Sequence, residues 1–306
     1  MRRLRILLIA AALVLGTGVA VFFVLTEPTR VAAASLGPHT PNLDNGRTMF
    51  FAGGCASCHA SSKDDPTRLG GGAPLHSPFG TFYAPNISPD PVDGIGRWSE
   101  VAFVSAMQDG TSPDERHYYP AFPYTSYQRM ETGDLRDLFA YLKTLPAVQG
   151  KAPAHELPFP FSVRRAVGLW KMLYLDGRPF RPDASRSAAW NRGAYLVNGP
   201  GHCAECHSPR DALGGIVAAQ RFAGGPDPEG RGWVPNITGK GLASWSAGDI
   251  AYMLETGDLP DGDSVGGTMA AVVRNTAKLS AADRAAMAEY LKSLPPVDGP
   301  PRPERK

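Results

Sequence analysis

Two stretches of the chain repeat apolar residues at the spacing of a helix. In both, the apolar positions follow i, i+3, i+4 and i+7, so that they share one helix face. They are Leu135, Leu138, Phe139 and Leu142 in the first stretch, and Met287, Tyr290, Leu291 and Leu294 in the second. Each stretch ends at a proline, Pro146 or Pro295, and Ser280 with Asp283 is a candidate N-cap for the second. The pattern predicts two amphipathic helices, each closing one unit of the fold.

An uncharged apolar run, residues 6–26, follows the opening residues MRRLR. As a helix it would approach the roughly 30 Å of a bilayer core, whereas the apolar region of a secretory signal usually has roughly 7 to 15 residues. We therefore interpret residues 1–30 as an N-terminal transmembrane helix that is not removed, with cleavage near residues 32–35 as the alternative. Three arginines before the run, and only Arg30 soon after it, place the N-terminus in the cytoplasm and the rest of the chain on the exported side.

The remainder of the chain is one unit repeated. The segment NGRTMFFAGGCASCH is matched by NRGAYLVNGPGHCAECH, APNIS by VPNIT, RWSEVAF by SWSAGDI, and LFAYLKTLPAV by MAEYLKSLPPV, in the same order. Because each copy carries its own start, site and end, the copies are whole domains rather than solenoid units. We expect domains at residues 38–150 and 187–300, joined by a proline-containing linker at 151–186 with one short helix.

Composition and charge narrow the class of protein. With 43% apolar and 20% charged residues among 306, the chain has the composition of a globular protein. Its 34 glycines and 29 prolines indicate many turns and little sheet. The formal net charge is +2, and no run of Lys or Arg lies outside the first five residues, so nucleic acid is not an expected partner.

All four cysteines lie in two pentapeptides, CASCH at 55–59 and CAECH at 203–207. In a C-x-x-C-H sequence the two thiols can add to the vinyl groups of a haem, and the histidine is then held as an axial ligand of the iron. We therefore predict two covalently attached haem c groups. The attachment residues are Cys55, Cys58, Cys203 and Cys206, and the axial ligands are His59 and His207.

Other cysteine chemistry fits these motifs less well. A structural zinc site needs four ligands, and each half offers three, with no second cysteine pair. A thioredoxin-like redox pair would stand near a βαβ pattern, which the sequence does not contain. A disulfide between the pairs would leave both histidines unexplained.

Several longer segments resemble a known family. The segments NRGAYLVNGPGHCAECHSPRDALGG, LPFPFSVRRAVGLW, APNISPDPVDGIGRWSE and YYPAFPYTSYQRM are similar to the cytochrome c subunits of membrane-bound alcohol, aldehyde and gluconate dehydrogenases. The similarity extends from about residue 40 to 298. Those subunits commonly have three haem motifs, whereas this chain has two, so the chain resembles the dihaem branch of the family. The resemblance implies an all-α fold of two tandem class I cytochrome c domains, following the N-terminal transmembrane helix.

The second axial ligand of each iron separates electron transfer from small-molecule chemistry, because methionine blocks the iron and an open face leaves it reactive. In the second half we favour Met269, which precedes the last helix on a segment interpreted as a loop, over Met253 and Met287, which fit helix faces. In the first half we favour Met130, just before the helix that starts near Thr132. The alternatives left open there are Met49, Met107 and His117, the last giving a bis-histidine haem; some relatives have methionine at the position of Phe122.

The leading hypothesis for the function is an electron carrier without substrate chemistry of its own. By resemblance, it takes electrons from a periplasmic dehydrogenase and passes them to quinone or a terminal oxidase, anchored in a bacterial inner membrane with its haem domains in the periplasm. The alternative is a dihaem peroxidase or a thiosulfate-oxidising cytochrome, which needs one haem with an open face or an unusual ligand. The sequence contains no G-x-S-x-G, H-E-x-x-H or dinucleotide-binding loop.

Overall fold

The computed structural model describes residues 2–62, 64–230 and 232–302. It begins with α1 (Arg2–Leu25), a helix of 24 residues, none of them buried. At 1.5 Å per residue such a helix is about 36 Å long. By length and composition α1 could therefore cross a membrane.

The first repeat forms a helical domain with one small hairpin. Its elements are α2 (Leu43–Ala52), α3 (Cys55–His59), β1 (Pro74–Ser77), β2 (Gly80–Tyr83), α4 (Glu100–Asp109), α5 (Tyr124–Tyr127) and α6 (Thr132–Leu142). The linker carries α7 (Val167–Tyr174), preceded by a 3₁₀ turn at Arg164–Ala166.

The second repeat follows the same order. Its elements are α8 (Ala188–Asn198), α9 (Ala204–His207), β3 (Gly225–Pro226), β4 (Trp233–Val234), α10 (Ala247–Thr256), α11 (Gly267–Thr276) and α12 (Ala281–Ser293). Further 3₁₀ turns lie at Ala33–Ser35 and Ala218–Gln220.

Polar side chains start the main helices by accepting a hydrogen bond from a backbone N–H that has no partner within the helix. The Ser280 hydroxyl accepts from the Asp283 amide at 3.0 Å, which confirms the N-cap predicted for α12. Ser246 and Asp249 form a reciprocal capping box on α10. The other side-chain caps are Asn42, Ser99 and Ser187.

In each domain the opening helix crosses the closing helix at a glycine. A Cβ on Gly46 of α2 would lie 2.2 Å from the Asp137 carbonyl oxygen of α6, and one on Gly193 of α8 would lie 1.8 Å from the Ala286 carbonyl oxygen of α12. Since such distances are far inside van der Waals contact, both crossings require glycine. One continuous cluster of buried side chains runs from these crossings through both domains.

The structure corrects two details of the sequence-based prediction. The all-α expectation describes the core, but β1 pairs with β2 and β3 with β4 as short antiparallel hairpins. These strands have only two to four residues, too few to show an alternating apolar pattern. Met269, expected on a loop, lies in the first turn of α11.

Candidate haem-binding site

Each C-x-x-C-H motif follows the opening helix of its domain through a tight turn. In the first domain Gly54 occupies the left-handed region at φ 56°, and Cys55 begins the single turn of α3. In the second domain His202 occupies the same place at φ 37° before Cys203. A histidine in this region is strained, because its Cβ crowds the backbone. Both turns reverse the chain so that the two thiols of each motif lie on one helical turn.

Both motif histidines make the same hydrogen bond. The Nδ1 atom of His59 lies 2.8 Å from the Pro85 carbonyl oxygen, and that of His207 lies 2.8 Å from the Pro235 carbonyl oxygen. A carbonyl can only accept, so Nδ1 carries the proton and Nε2 keeps its lone pair. Burial lowers the pKa of both rings, with the carbonyl contact acting in the opposite direction. Two neutral imidazoles are thus oriented to offer Nε2 to a metal.

The four cysteines are thiols, and no disulfide joins them. Burial raises the pKa of the Cys55 and Cys203 thiols to about 12. Reactive redox cysteines have lowered pKa values, so this environment does not favour the redox alternative. Among the described residues there is no group of three or more Cys, His, Asp or Glu side chains placed to hold a metal ion. Two unpaired thiols and a histidine with a free Nε2, all on one helical turn, are the donors that a covalent haem requires.

The repeated asparagines support the loops that carry the proline carbonyls. The Asn86 amide donates to the carbonyl oxygens of Val148 and Gly150 at 2.7 and 2.9 Å. The Asn236 amide donates to the Val297 carbonyl at 2.8 Å. Each asparagine therefore ties the loop after the motif to the segment that follows the closing helix. The repeated tryptophans, Trp98 and Trp245, pack against the core.

The methionines occupy different settings. Met130 lies in the turn before α6 and is 1% exposed; its Cγ is 3.6 Å from the place where a Cβ on Gly199 of the second domain would stand. Met269 is partly buried against the core at the start of α11. The other candidates lie on helices, as expected for packing residues: Met49 on α2, Met107 on α4, Met253 on α10 and Met287 on α12.

His117 lies against the end of the N-terminal helix. Its ring is buried, and Nε2 is 2.8 Å from the Thr26 carbonyl oxygen, while Nδ1 is buried without a partner. Because the Thr26 carbonyl accepts from Nε2, this nitrogen is not free for iron. The contact favours packing over the bis-histidine alternative.

The two motifs meet at the boundary between the domains, and each contacts the other domain through its middle residue. Ser57, between Cys55 and Cys58, accepts a hydrogen bond from the Asn275 amide of α11 at 3.0 Å. Glu205, between Cys203 and Cys206, accepts from Ser126 of α5 at 2.8 Å. The register that aligns the two closing helices also pairs Ser126 with Asn275. The two contacts are therefore equivalent and reciprocal.

Glu205 is a nearly buried carboxylate at this boundary. It also accepts from the Thr125 hydroxyl at 2.8 Å and from the Arg210 guanidinium at 2.6 Å. Burial disfavours its charged form, but Arg210 and the hydroxyls of Ser126 and Thr125 outweigh this, so the pKa of Glu205 lies below its ordinary value. Burial, and then Glu205 itself, raises the pKa of the Cys206 thiol to about 11, and the Cys58 thiol of the first motif adds to this shift.

An aromatic pair bridges the same boundary. The ring of Tyr127, from the first domain, meets the ring of His202 edge-on at a centroid distance of 5.6 Å. His202 Nε2 also lies 3.3 Å from the Gly53 carbonyl oxygen. The strained residue before the second motif thus contacts the turn before the first one and the segment that leads to Met130.

Comparison with known proteins agrees with this geometry. The family model for cytochrome c matches residues 43–146 and 191–295, which together make up more than half of the chain. The chain therefore belongs to the cytochrome c family, with two tandem cytochrome c domains and two covalently bound haem c groups.

Three relatives narrow the class within the family. The chain is 48% identical over 290 residues to a dihaem cytochrome c-type protein of Cereibacter sphaeroides, covering 94% of this chain and 97% of that protein. It is 42% identical over 255 residues to a nicotinate dehydrogenase subunit of Pseudomonas putida, covering 82% of this chain and 21% of that one. It is 36% identical over 275 residues to the fructose dehydrogenase cytochrome subunit of Gluconobacter japonicus, covering 88% of this chain and 55% of that one. The chain thus spans almost the whole dihaem relative, but about a fifth and about half of the two dehydrogenase subunits, respectively.

The chain is accordingly a dihaem cytochrome c, homologous to electron-transfer subunits of dehydrogenases. Sequence reasoning missed six residues at the domain boundary, Ser57, Thr125, Ser126, Tyr127, Glu205 and Asn275, and it interpreted His202 only as a surface or satisfied histidine. The sequence contained one sign of this boundary: the second motif has an acidic residue, Glu205, where the first motif has Ser57.

Proposed function

We propose that this protein carries electrons between a periplasmic dehydrogenase and the respiratory chain, through two haems placed side by side in one chain. The observation that carries the proposal is the reciprocal contact of the two motifs, in which Ser57 and Glu205 each bind the other domain. A protein whose haems worked separately would not require its two attachment motifs to face one another.

The proposed haem attachment follows the motif residues. The four cysteines form the thioether bonds, and His59 and His207 bind the irons through Nε2. When bound, each haem supplies an iron that accepts and releases one electron. The residues of this chain orient the two imidazoles through the Pro85 and Pro235 carbonyls and hold each motif against the other domain.

Met130 and Met269 are proposed as the second axial ligands. The burial of Met130 in a turn beside the first domain's core and the position of Met269 in the first turn of α11 both leave a thioether next to apolar surroundings. Methionine ligation would block the irons and raise their potentials, as a carrier requires.

The N-terminal helix is proposed to remain in the mature protein as an anchor in the bacterial inner membrane, with both haem domains in the periplasm. Thr26, just after α1, is fully buried, and its carbonyl is bound by His117. Cleavage near residues 32–35 would remove this residue from its contacts. The acceptor is then quinone or a terminal oxidase, reached by diffusion along the membrane.

Near-infrared magnetic circular dichroism of the purified oxidised protein tests the carrier proposal, since it separates histidine–methionine from bis-histidine and high-spin haems. Two histidine–methionine haems, and no carbon monoxide binding to the reduced protein at neutral pH, are expected. Two irons that bind carbon monoxide readily would contradict the proposal. One high-spin haem combined with hydrogen peroxide turnover would instead favour a dihaem peroxidase.

A further inference from the structure

The linker helix α7 presents an apolar stripe to solvent. Leu169, Met172 and Leu173 are 41%, 59% and 66% exposed, and they lie three and four residues apart on one face. The opposite side of α7, with Val167 and Lys171, is buried against the protein. We call the three exposed side chains the linker apolar face. A contiguous exposed apolar patch is typical of sites that contact another protein or a membrane.

The end of α1 is attached to the helix that bears this face. A Cβ on Gly168 would lie 2.6 Å from the Cβ of Thr26, so the backbone of α7 touches the residue that follows α1. Arg165, at the start of the same helical segment, donates to the Thr26 hydroxyl at 2.8 Å and to the Phe23 carbonyl at 2.6 Å. It also pairs with Glu27 at 2.7 Å.

Helix geometry places the apolar face beside this attachment. Met172 is four residues after Gly168, one turn further along the same side of α7, so the linker apolar face borders the side of α7 that contacts Thr26. The linker apolar face therefore belongs to the helix to which the end of a membrane-length helix is attached.

We propose that the linker apolar face inserts into the lipid surface next to α1, as a second membrane contact. This inference rests on the proposed anchoring by α1. Because hydrogen bonds and an ion pair tie the end of α1 to α7, a bilayer crossed by α1 meets α7 at its surface. An amphipathic helix with its apolar side in the acyl boundary is a known way to lie on a membrane. Two contacts instead of one would keep the haem domains from swinging about the end of α1.

Photo-crosslinking of the full-length holoprotein in liposomes tests this proposal. The liposomes contain phosphatidylcholine with a diazirine in one acyl chain and no other protein, and peptide mass spectrometry locates the adducts. Adducts are expected on α1 and on residues 167–174. We expect the adduct yield on residues 167–174 to exceed that on the segment around Tyr252 by about ten-fold, because only the former lies in lipid. Tyr252 is a suitable reference, since it is 55% exposed on α10.

A triple variant, Leu169→Ser with Met172→Ser and Leu173→Ser, should lose the adducts on α7 and retain those on α1. The matched control is the double variant Tyr252→Ser with Val272→Ser, which removes exposed apolar side chains from the second domain. It should label like the wild type. All of these positions are exposed, so the haem spectrum serves to verify that each variant folds.

The outcomes separate the inference from the anchoring proposal. Adducts on α1 without adducts on α7 would overturn the inference and leave the anchor intact. Adducts on α7 without adducts on α1 would overturn the anchor and also the inference as stated, because the face would then be a first and not a second membrane contact. Absence of both would overturn both.

Discussion

Glu205 and Ser57 hold the same place in the two motifs but bind the other domain with different chemistry. Ser57 exchanges one neutral hydrogen bond with Asn275, whereas Glu205 brings a charge that three donors compensate. A neutral hydrogen bond contributes about 1 kcal/mol, whereas a hydrogen bond to a charged group contributes about 1.5–3 kcal/mol, and removal of the Glu205 carboxylate would leave the Thr125 and Ser126 hydroxyls without their acceptor. Ser57 and Glu205 therefore occupy equivalent positions but contribute differently to the stability of the domain boundary.

The variant Glu205→Ala should therefore be much less stable than Ser57→Ala. We expect a loss of about 2–3 kcal/mol in the free energy of unfolding for the first variant, and of about 1 kcal/mol for the second. Urea titration followed by far-ultraviolet circular dichroism measures both. Equal losses would show that the Glu205–Arg210 pair does not stabilise the boundary.

Replacement of Met269 tests a ligand without a large change in packing. Met269→Ala should abolish the charge-transfer band of thioether-bound iron for one haem and allow that haem to bind carbon monoxide. Met253→Ala is the control, because Met253 lies on α10, packs against the same core and is also partly buried. If both variants kept two thioether-bound haems, Met269 would not be the ligand.

At the scale of the elements, the helix crossings fix the position of each motif. The motifs come shortly after α2 and α8 in the chain, and each of these helices crosses the closing helix of its domain at a glycine. Gly193→Ala should destabilise the protein by about 1–3 kcal/mol or prevent folding, since the new Cβ meets the Ala286 carbonyl. Gly248→Ala, on the exposed start of α10, is the control and should be neutral or stabilising by up to about 1 kcal/mol. Thermal unfolding of both variants compares them.

The start of α2 depends on a carboxylate from α6. The Asp137 carboxylate accepts three hydrogen bonds: from the backbone N–H of Asn42 at 2.8 Å, from the side-chain amide of Asn45 at 2.8 Å and from the His39 ring at 2.7 Å. Burial opposes its charge, but these hydrogen bonds outweigh burial and hold the pKa of Asp137 below its ordinary value. The charged Asp137 carboxylate therefore stabilises the fold fully when the pH is above the ordinary pKa of an aspartate. This stabilisation is lost as the pH falls through the lower pKa that Asp137 has in the folded state.

Asp137→Asn should consequently lower the free energy of unfolding at neutral pH. The variant should also lose less of this free energy than the wild type when the pH is lowered. Urea midpoints at pH 7 and at about pH 3 measure the difference, because an unperturbed aspartate titrates near pH 3.9. Asp44→Asn, exposed in the first turn of α2, should follow the wild type at both values. An unchanged acid response in Asp137→Asn would contradict the assignment.

The elements themselves were largely accessible to sequence reasoning, for reasons visible at single residues. Leu135, Leu138 and Leu142 have the spacing of a helix because they face one core, and Ser280 starts α12 through a local hydrogen bond. Met269 was misplaced because Gly266 and Gly267 suggested a loop, whereas α11 begins at Gly267. The contact of Ser57 with Asn275 could not be predicted, because it depends on how two folded domains dock.

At the scale of the whole molecule, the N-terminal helix α1 is attached to the linker. This attachment predicts that the mature protein keeps α1. Intact-mass measurement of protein isolated from membranes should give a chain that retains α1. Detection of a new N-terminus near residues 32–35 would contradict this. Removal of residues 1–30 should abolish the proposed electron delivery to quinone or a terminal oxidase, so activity that survived the truncation would show that the anchor is dispensable.

The reciprocal contacts of Ser57 and Glu205 have the arrangement of a symmetric dimer interface, in which each partner offers the same patch. Here the linker joins both partners in one polypeptide, so their association is intramolecular and independent of protein concentration. Dilution cannot separate the two haem sites, and their ratio is always one to one. The divergence of Glu205 from Ser57, and of His202 from Gly54, became possible because each side of the interface is encoded once and can change alone.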